Sequence, residues 1–235
     1  MKLLLFSDVH RDWVTGGLER GEEIGRALTK VRIFQASHPV DRVIFLGDWC
    51  DPDSAGTHRA AASAVELYRS LQTPSVWLTG NHDVIHDGYG SHTLMALKKA
   101  GGIVVDEPSA IPLDSKTLLV CLPYTSLSHV YDPVAYVRSL ESHAFVRTGS
   151  RVVVVGHMTS IPGVPHGSET DEMGRGHDMV FPVAACREVF GANVVMANGH
   201  FHQRIVDGPV LVPGSLARLT HGEERNDPGF LVVTV

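Results

Sequence analysis

The stretch VWLTGNHDVIHDG, residues 76–88, joins a short apolar run to a glycine and three polar residues of different chemistry. The run from Val76 to Leu78 has the continuous apolar character of a strand that is buried on both faces. Gly80 permits a tight turn after the strand, and a turn alone does not require asparagine, histidine and aspartate in succession. The stretch therefore predicts a buried strand that presents reactive side chains at its carboxyl end.

Polar clusters follow other apolar runs of the chain in the same way. The clusters are FSDVH (6–10), LGDWCD (46–51), TGNHD (79–83), VGHM (155–158) and NGHFH (198–202). Because the carboxyl ends of parallel strands lie along one edge of a sheet, clusters that are far apart in sequence can meet there. Open α/β sheets place their ligand sites at this edge, so the clusters predict one shared site.

Helical patterns between the early apolar runs predict parallel pairing of the strands. The two apolar helix faces are formed by Ile24, Leu28 and Val31 and by Ala61, Val65 and Tyr68. After Gly199 the apolar runs, including Val210 to Val212, follow one another too closely for crossover helices, so antiparallel pairing is expected there. We predict a single α/β domain over residues 1–235, a layered sandwich of two mixed β-sheets flanked by helices.

The composition argues against several classes of protein. The formal net charge of −6 disfavours broad electrostatic capture of nucleic acid. No segment has the roughly 20 apolar residues that span a bilayer, so no membrane association is expected. The three widely spaced cysteines do not resemble a disulfide framework, which is typical of a reducing, cytoplasmic location. The 14 histidines indicate metal or acid/base chemistry.

The polar clusters supply carboxylate, amide and imidazole groups that suit divalent cations. The candidate metal ligands are Asp8, His10, Asp48, Asn81, His157, His200 and His202. Because the set contains no thiolate, it favours Mn, Fe or Zn in a reactive site over a structural zinc. The set is large enough for two ions if one carboxylate bridges them, and Asp48, which follows Gly47, is the candidate bridge. Two such ions form a recurring clamp for phosphoryl chemistry.

His82 is the candidate general acid of this chemistry. A hydroxide between the two metals would attack phosphorus, and a histidine beside the metals would protonate the departing oxygen. Asp51 is a candidate for orienting the imidazole of His82 and stabilising its charged form. Two alternatives are open at this point, namely a purely structural His82 and an Asp51 that caps a helix. Asp83 is expected to hydrogen-bond the loop.

The ordered motifs resemble those of the calcineurin-like metallophosphoesterases, which run DxH, GDxxD, GNH(D/E), GH and GHxH. Here they read DVH (8–10), GDWCD (47–51), GNHD (80–83), GH (156–157) and GHFH (199–202). The resemblance implies that one metal is held by Asp8, His10, Asp48 and His202. It implies that the other is held by Asp48, Asn81, His157 and His200. The expected cofactors are two divalent ions, with Mn first and Fe, Zn, Ni or Mg as alternatives.

Within that superfamily the chain looks similar to the DNA-repair exonuclease branch. The similar segments are SDVHRDW (7–13), ERGEEIGRAL (19–28) and VPGSLARLTHGEERNDPGF (212–230). The resemblance implies a nucleic-acid substrate, a repair ATPase partner and a homodimer. Members of that branch continue into a second domain for DNA contact, so partner contacts of these 235 residues are expected on the catalytic domain.

The function predicted from these features is a two-metal phosphodiesterase, and specifically a nuclease that cleaves DNA. Arg218 and Arg11 are candidates for phosphate contacts, and His166 and His177 of the long loop 158–180 are candidates for lining the pocket. One alternative is a phosphomonoesterase or a small-nucleotide phosphodiesterase, because pocket shape is not encoded in a motif. The other is a non-catalytic interaction module that kept the fold, which the intact ligand set disfavours.

Overall fold

The computed structural model describes residues 1–51, 56–85, 89–164 and 178–235. Its strands are β1 (Lys2–Phe6), β2 (Val14–Thr15), β3 (Leu18–Glu19), β4 (Arg42–Phe45), β5 (Ser75–Leu78), β6 (Ile103–Val105), β7 (Ser109–Pro112), β8 (Thr117–Leu122), β9 (Arg151–Gly156), β10 (Val195–Asn198) and β11 (Leu231–Thr234). Its α-helices are α1 (Gly21–Ser37), α2 (Thr57–Ser70), α3 (Met95–Lys99), α4 (Pro133–Ser139), α5 (Ala144–Arg147) and α6 (Val183–Phe190). Short 3-10 helices cover Leu127–His129, Leu140–Ser142 and His221–Glu223.

Two mixed sheets and a small hairpin contain the strands. The first sheet has the order β11-β1-β4-β5-β6, in which β11 is antiparallel to β1 and the other pairs are parallel. The second has the order β10-β9-β8-β7, in which only β7 pairs antiparallel. The hairpin consists of β2 and β3. The predicted α/β class, with two mixed sheets flanked by helices, is therefore confirmed.

The strand sequences are apolar without interruption because both faces of each sheet are covered. On β1, Leu3 and Leu5 point into the core between the two sheets, where they meet residues of the second sheet such as Leu119. The alternate residues Leu4 and Phe6 point outward into a separate core beneath α1 and α2. The second sheet repeats the arrangement on its own outer face, against α4 and α6.

The buried face of α1 is the predicted one, whereas the buried face of α2 is shifted by one residue from the prediction. On α1 the predicted Ile24, Leu28 and Val31 are buried. On α2 the buried residues are Ala60, Ala64 and Leu67, and the predicted Ala61, Val65 and Tyr68 flank that face at intermediate exposure. The small alanines let the helix backbone approach the sheet closely, and the indole NH of Trp49 donates to the carbonyl of Ala60 at 2.6 Å.

Pairing after Gly199 is weaker than the apolar runs suggest. The segment Val210 to Val212 forms isolated bridges, with Leu211 parallel to Ala197 and Val212 antiparallel to Ile205. Strand β11 does pair antiparallel, as predicted for this end of the chain. Within the described residues, no helix is both long enough and apolar enough to cross a bilayer.

Candidate metal centre

The motif residues meet where the parallel strands of both sheets end. Asp8 follows β1, Asp48 follows β4, Asn81 follows β5, His157 follows β9 and His200 follows β10. Six of the seven predicted ligands form two buried triplets, Asp8 with His10 and His202, and Asp48 with His157 and His200. In each triplet the potential ligand atoms lie within 4.8 Å of one another. Each triplet is part of one of the two ligand sets that the sequence resemblance implies, and the role of these residues as metal ligands stays a prediction.

Three motif glycines permit the close approach of the loops that carry these ligands. A Cβ atom on Gly80 would overlap the carboxylate of Asp48, and one on Gly47 would overlap the ring of His157. A Cβ atom on Gly199 would overlap the carbonyl oxygen of Leu46. Any side chain at these positions would force the loops apart, so the glycines are a packing requirement of the site.

The backbone of the site is strained in a specific way. Among the described residues, the non-glycine residues with positive φ are Asp8 (51°), His10 (42°), Asp48 (63°) and His200 (72°). All four belong to the triplets. Left-handed backbone is unfavourable for residues with a Cβ atom, and such strain concentrates at functional sites where the surrounding structure enforces it. The fold therefore imposes the directions of these four side chains.

In the second triplet, several acceptors surround one imidazole nitrogen. His157 Nδ1 lies 2.6 Å from the carbonyl oxygen of Leu46, to which it donates. Its Nε2 faces Asn81 Oδ1 at 2.9 Å and Asp48 Oδ2 at 3.2 Å, and Asn81 Oδ1 also lies 3.0 Å from His200 Nδ1. Although burial opposes protonation, Asp48 and Asp8 raise the pKa of His157 to about 9. The Nε2 atom, the Asn81 oxygen and the Asp48 carboxylate thus converge on one point, where a cation could be held.

In the first triplet, one histidine is anchored by a carboxylate. His202 Nδ1 donates to Glu223 Oε1 at 2.9 Å, which leaves Nε2 as the nitrogen that faces the triplet. Glu223 is buried and also accepts from the main-chain NH of Leu219 at 2.8 Å. A carboxylate in this position fixes the tautomer and orientation of a metal-binding histidine.

The pKa values of the centre reflect burial and the crowding of histidines and carboxylates. Burial raises the pKa of Asp8 to about 6, against the lowering influence of the nearby histidines. Burial and the neighbouring His157 lower the pKa of His200 to about 3, and burial and His82 hold the pKa of His10 well below its usual range. Burial would also raise the pKa of Asp48, but His157 and His82 together hold it well below its usual range.

Unpaired polar atoms show that these residues fit a bound cation. Asp8 Oδ2, both ring nitrogens of His10 and His200 Nε2 are buried and have no hydrogen-bond partner within the described chain. A buried polar atom without a partner costs about 1–3 kcal/mol, so four of them in one centre require an explanation. Hard oxygen and imidazole donors are what divalent Mn, Fe or Zn bind, and such an ion would satisfy these atoms.

His82 lies beside the triplets without belonging to either. Its main-chain NH donates to Asp48 Oδ1 at 2.9 Å, and its ring packs edge-on against His10 with centroids 4.9 Å apart. Its Nδ1 lies 3.6 Å from Asp51 Oδ2, which is an ion-pair distance and is longer than a hydrogen bond. Asp51 and His82 therefore lie close together, and their roles as orienting carboxylate and general acid stay predictions.

A family model of the calcineurin-like phosphoesterases matches residues 1–204, which is most of the chain. The chain is a calcineurin-like phosphoesterase. Membership of this family implies hydrolysis of phosphoric esters with the help of metal ions, and the two triplets suggest two divalent ions. No match to this phosphoesterase is found among curated protein sequences.

Solved structures show the same fold at low sequence identity. A dimetal phosphatase from Danio rerio (TM-score 0.63, 14% identity) aligns over 99% of the phosphoesterase and 91% of its own chain. The protein TT1561 of Thermus thermophilus (TM-score 0.56, 11% identity) aligns over 92% and 89%. The purple acid phosphatase PPD1 from yellow lupin, Lupinus luteus (TM-score 0.53, 11% identity), aligns over 88%, but the phosphoesterase spans only 39% of that chain. At these identities the likeness establishes the fold alone.

The arginines predicted to contact phosphate are held by main-chain carbonyls of the phosphoesterase. Arg11 Nη1 donates to the carbonyl of Gly21 at 2.5 Å, and the exposed Arg218 donates from Nε to the carbonyl of Asn226 at 3.1 Å. Neither of these bonds involves a residue of the triplets. Their role in binding substrate stays a prediction. His166 and His177, predicted to line the pocket, lie outside the described residues.

Asp83 and Glu223 both hydrogen-bond residues of the site, but only the role of Asp83 is expected from the sequence. Asp83 accepts from the main-chain NH groups of Asp48 (2.8 Å), Gly80 (2.9 Å) and Trp49 (3.0 Å), which agrees with its expected role in hydrogen bonding the loop. The role of Glu223 is absent from the sequence-based predictions. It lies 21 residues after His202, at the end of the short 3-10 helix His221–Glu223, and the sequence offers no periodic or motif signal that pairs the two residues.

Proposed function

We propose that this phosphoesterase is a two-metal phosphodiesterase that cleaves DNA, with His82 as the general acid. The proposal rests on one arrangement, in which two His/Asp triplets adjoin at a sheet edge and an imidazole outside both triplets lies next to His10. Proton donation to a leaving group requires a histidine that is near the reacting phosphorus and free of a metal. Two observations support this role: His82 lies next to His10 and Asp48, and it belongs to neither triplet.

The chain's own residues would divide the work as follows. Asp8, His10 and His202 would hold one ion, and Asp48, His157 and His200, with the Asn81 side chain, would hold the other. Bound divalent ions supply Lewis acidity and lower the pKa of a water molecule towards neutrality. His82 would hold a proton for the departing oxygen. Asp51, 3.6 Å from His82 Nδ1, would favour the charged ring and direct it.

The remaining properties proposed here follow the sequence resemblance. We propose Mn as the working metal because hard oxygen and imidazole donors suit it, although the same donors accept Fe, Zn, Ni or Mg. We also propose that residues 1–235 act as one catalytic domain in the cytoplasm. The shared core between the two sheets supports a single domain, since residues of both sheets pack into it.

Nuclease activity and the DNA-repair branch are proposed on the segments that flank the motifs. SDVHRDW contains His10 and Arg11, and the segment 212–230 contains Arg218 and the buried Glu223. A repair ATPase partner and a homodimer would be consistent with that branch. The net charge of −6 predicts weak, salt-sensitive binding of duplex DNA, so a single-stranded or partner-delivered substrate is the preferred form.

Hydrolysis of four substrates in parallel tests the proposal. Protein reconstituted with Mn²⁺ is given labelled single-stranded DNA, labelled duplex DNA, bis-p-nitrophenyl phosphate and p-nitrophenyl phosphate. We expect cleavage of DNA and of the small diester. His82→Ala should lower kcat by about 10²–10⁴-fold, the usual contribution of a general acid, while calorimetric binding of Mn²⁺ is retained. His38→Ala, which changes an exposed histidine at the end of α1, is the matched control.

Each result has a definite meaning. Cleavage of the diester without DNA cleavage would replace the nuclease by a small-molecule phosphodiesterase, and preference for the monoester would make the protein a phosphomonoesterase. A His82→Ala variant with full activity would remove His82 from the mechanism. Absence of all hydrolysis in metal-loaded protein would favour a non-catalytic interaction module.

A further inference from the structure

A cavity opens at the same sheet edge as the candidate metal centre. Its volume is about 280 Å³, and Thr79 forms part of its wall. Thr79 directly precedes Gly80 and Asn81, and its hydroxyl donates to the carbonyl of Tyr124 at 2.9 Å, which joins the end of β5 to the segment after β8. Asp106, which follows β6, is also part of the wall. The cavity therefore lies one strand along from the ligand set, beside the same loop.

The wall of this cavity contains buried polar atoms that nothing in the described chain satisfies. His92 and Thr125 are each 3% exposed, and His92 Nδ1 and Thr125 Oγ1 have no hydrogen-bond partner there. His92 Nε2 lies 3.1 Å from Asp106 Oδ2, and because a carboxylate only accepts, Nε2 carries the hydrogen. With that hydrogen on Nε2, the other ring nitrogen Nδ1 can serve as an acceptor, and the Thr125 hydroxyl can both donate and accept.

The charge of the cavity disfavours a phosphate group. The ammonium of Lys98 lies 2.5 Å from Asp106 Oδ2, so its charge is already compensated. Glu107 adds a further carboxylate to the lining. A neutral group that has both hydrogen-bond donors and acceptors fits this lining better than an anion does. An exposed aromatic ring, Tyr89 at 89% exposure, also lines the cavity and offers a flat stacking surface.

We propose that this cavity binds the nucleoside part of a phosphodiester whose phosphate lies at the metal centre. The inference deepens the proposed function and rests on it. Sugar hydroxyls and base edges supply the donors and acceptors that His92 and Thr125 lack, and a base can stack on Tyr89. The site would thus select nucleotide esters over other phosphodiesters, with the metals acting on the phosphate and the cavity on its nucleoside.

Three diester substrates with the same leaving group distinguish nucleoside recognition from the hydrolytic chemistry. Thymidine 5′- and 3′-(p-nitrophenyl phosphate) carry a nucleoside, and bis-p-nitrophenyl phosphate does not. We expect one of the two thymidine esters to have a lower KM than bis-p-nitrophenyl phosphate. Thr125→Val should reduce the ratio of kcat/KM for that ester over the plain diester by about three- to tenfold, the effect of one neutral hydrogen bond. Valine is tolerated there because the lost hydroxyl has no partner within the described chain.

Further variants distinguish recognition from structural damage. Tyr89→Ala should reduce the same ratio by about tenfold through lost stacking, and Tyr89→Phe should retain it. Thr117→Val is the matched control, because it removes a buried hydroxyl at the opposite end of β8, and it should leave the ratio unchanged. Equal losses on both substrates, or a ratio that does not respond to Thr125→Val and Tyr89→Ala, would overturn the proposal.

Failure of the proposed phosphodiesterase function would give a result different from failure of the nucleoside site. If none of the three diesters is hydrolysed, the proposed phosphodiesterase activity is wrong, and the cavity is then tested directly by saturation-transfer NMR with thymidine. Binding that Thr125→Val weakens would support a nucleoside site that is independent of diester cleavage. No thymidine signal with the unmodified protein would overturn it.

Discussion

Replacing Glu223 by alanine should weaken one of the two candidate metal sites and leave the other intact. Glu223 Oε1 accepts from His202 Nδ1 at 2.9 Å, and His202 belongs to the triplet of Asp8 and His10. Loss of a carboxylate that orients a metal-binding histidine lowers metal affinity by about 10–100-fold. That change corresponds to about 1.4–2.7 kcal/mol of binding free energy. The hydrogen bonds of Glu223 described above do not reach the triplet of Asp48, which should keep its affinity.

The same substitution should lower the free energy of unfolding of the metal-free protein. Glu223 also accepts from the main-chain NH of Leu219 at 2.8 Å and from the Thr220 hydroxyl at 3.2 Å. A buried NH group that loses its acceptor costs about 1–3 kcal/mol, so we expect a total loss of about 2–4 kcal/mol. Glu223→Gln keeps one acceptor oxygen and should give intermediate values for both quantities.

Titration calorimetry with Mn²⁺ on chelator-treated protein measures the two affinities, and urea unfolding in chelator measures the stability. Glu224→Ala changes an exposed glutamate at the next position and serves as the control. The reasoning is refuted if Glu223→Ala loses stability but binds Mn²⁺ at both sites within about twofold of the unmodified protein, since the expected loss is at least about tenfold. Glu223 would then support only the fold of its own segment.

Three further predictions address the loops, a helix and the pH dependence of stability. Gly80→Ala places a Cβ atom against Asp48 and should abolish Mn²⁺ binding measured by calorimetry, and retained affinity would contradict the packing argument. Gly25→Ala, within α1 and with only ordinary contact to Arg11, should raise the free energy of unfolding by about 0.5–1 kcal/mol, whereas a decrease would reveal a hidden clash. His92 and Lys98 outweigh burial and hold the pKa of Asp106 below its usual range. Its ionised form therefore stabilises the fold above about pH 4, and this contribution is lost as the pH falls towards the folded-state pKa. Asp106→Asn should lower the melting temperature at about pH 7 and differ progressively less from the unmodified protein below about pH 4, and a constant difference across that range would exclude this linkage.

Much of the fold follows from local sequence because its signals are continuous. Apolar runs such as Leu3 to Phe6 mark strands, since parallel strands between two layers bury every side chain. Strand β7 could not be predicted from an apolar run. Its residues Ser109–Pro112 are half-exposed and end in proline, which is typical of an edge strand. The hairpin of β2 and β3 has two residues in each strand, which is too short for any period to be visible.

Some features of the site follow from local sequence, and others depend on contacts between residues that are distant in sequence. The clustering of the candidate ligand residues could be predicted because each follows a strand, and topology then brings strand ends together. Their positive φ values could not, because strain of this kind is imposed by packing among loops that are distant in sequence. The pairing of His202 with Glu223 and the bonding of Arg11 to Gly21 also depend on tertiary contacts that no short motif specifies.

The left-handed backbone at Asp8, His10, Asp48 and His200 has a consequence for laboratory evolution. Glycine adopts such angles at lower cost than a residue with a Cβ atom, by about 1–2 kcal/mol per position. A library selected for heat resistance in a chelating buffer would therefore gain most by losing these ligands, and the survivors would be inactive. Selection with Mn²⁺ present would instead favour variants that keep these residues, because bound ions stabilise only variants that can hold them. The choice of buffer thus decides whether thermostable descendants keep their chemistry.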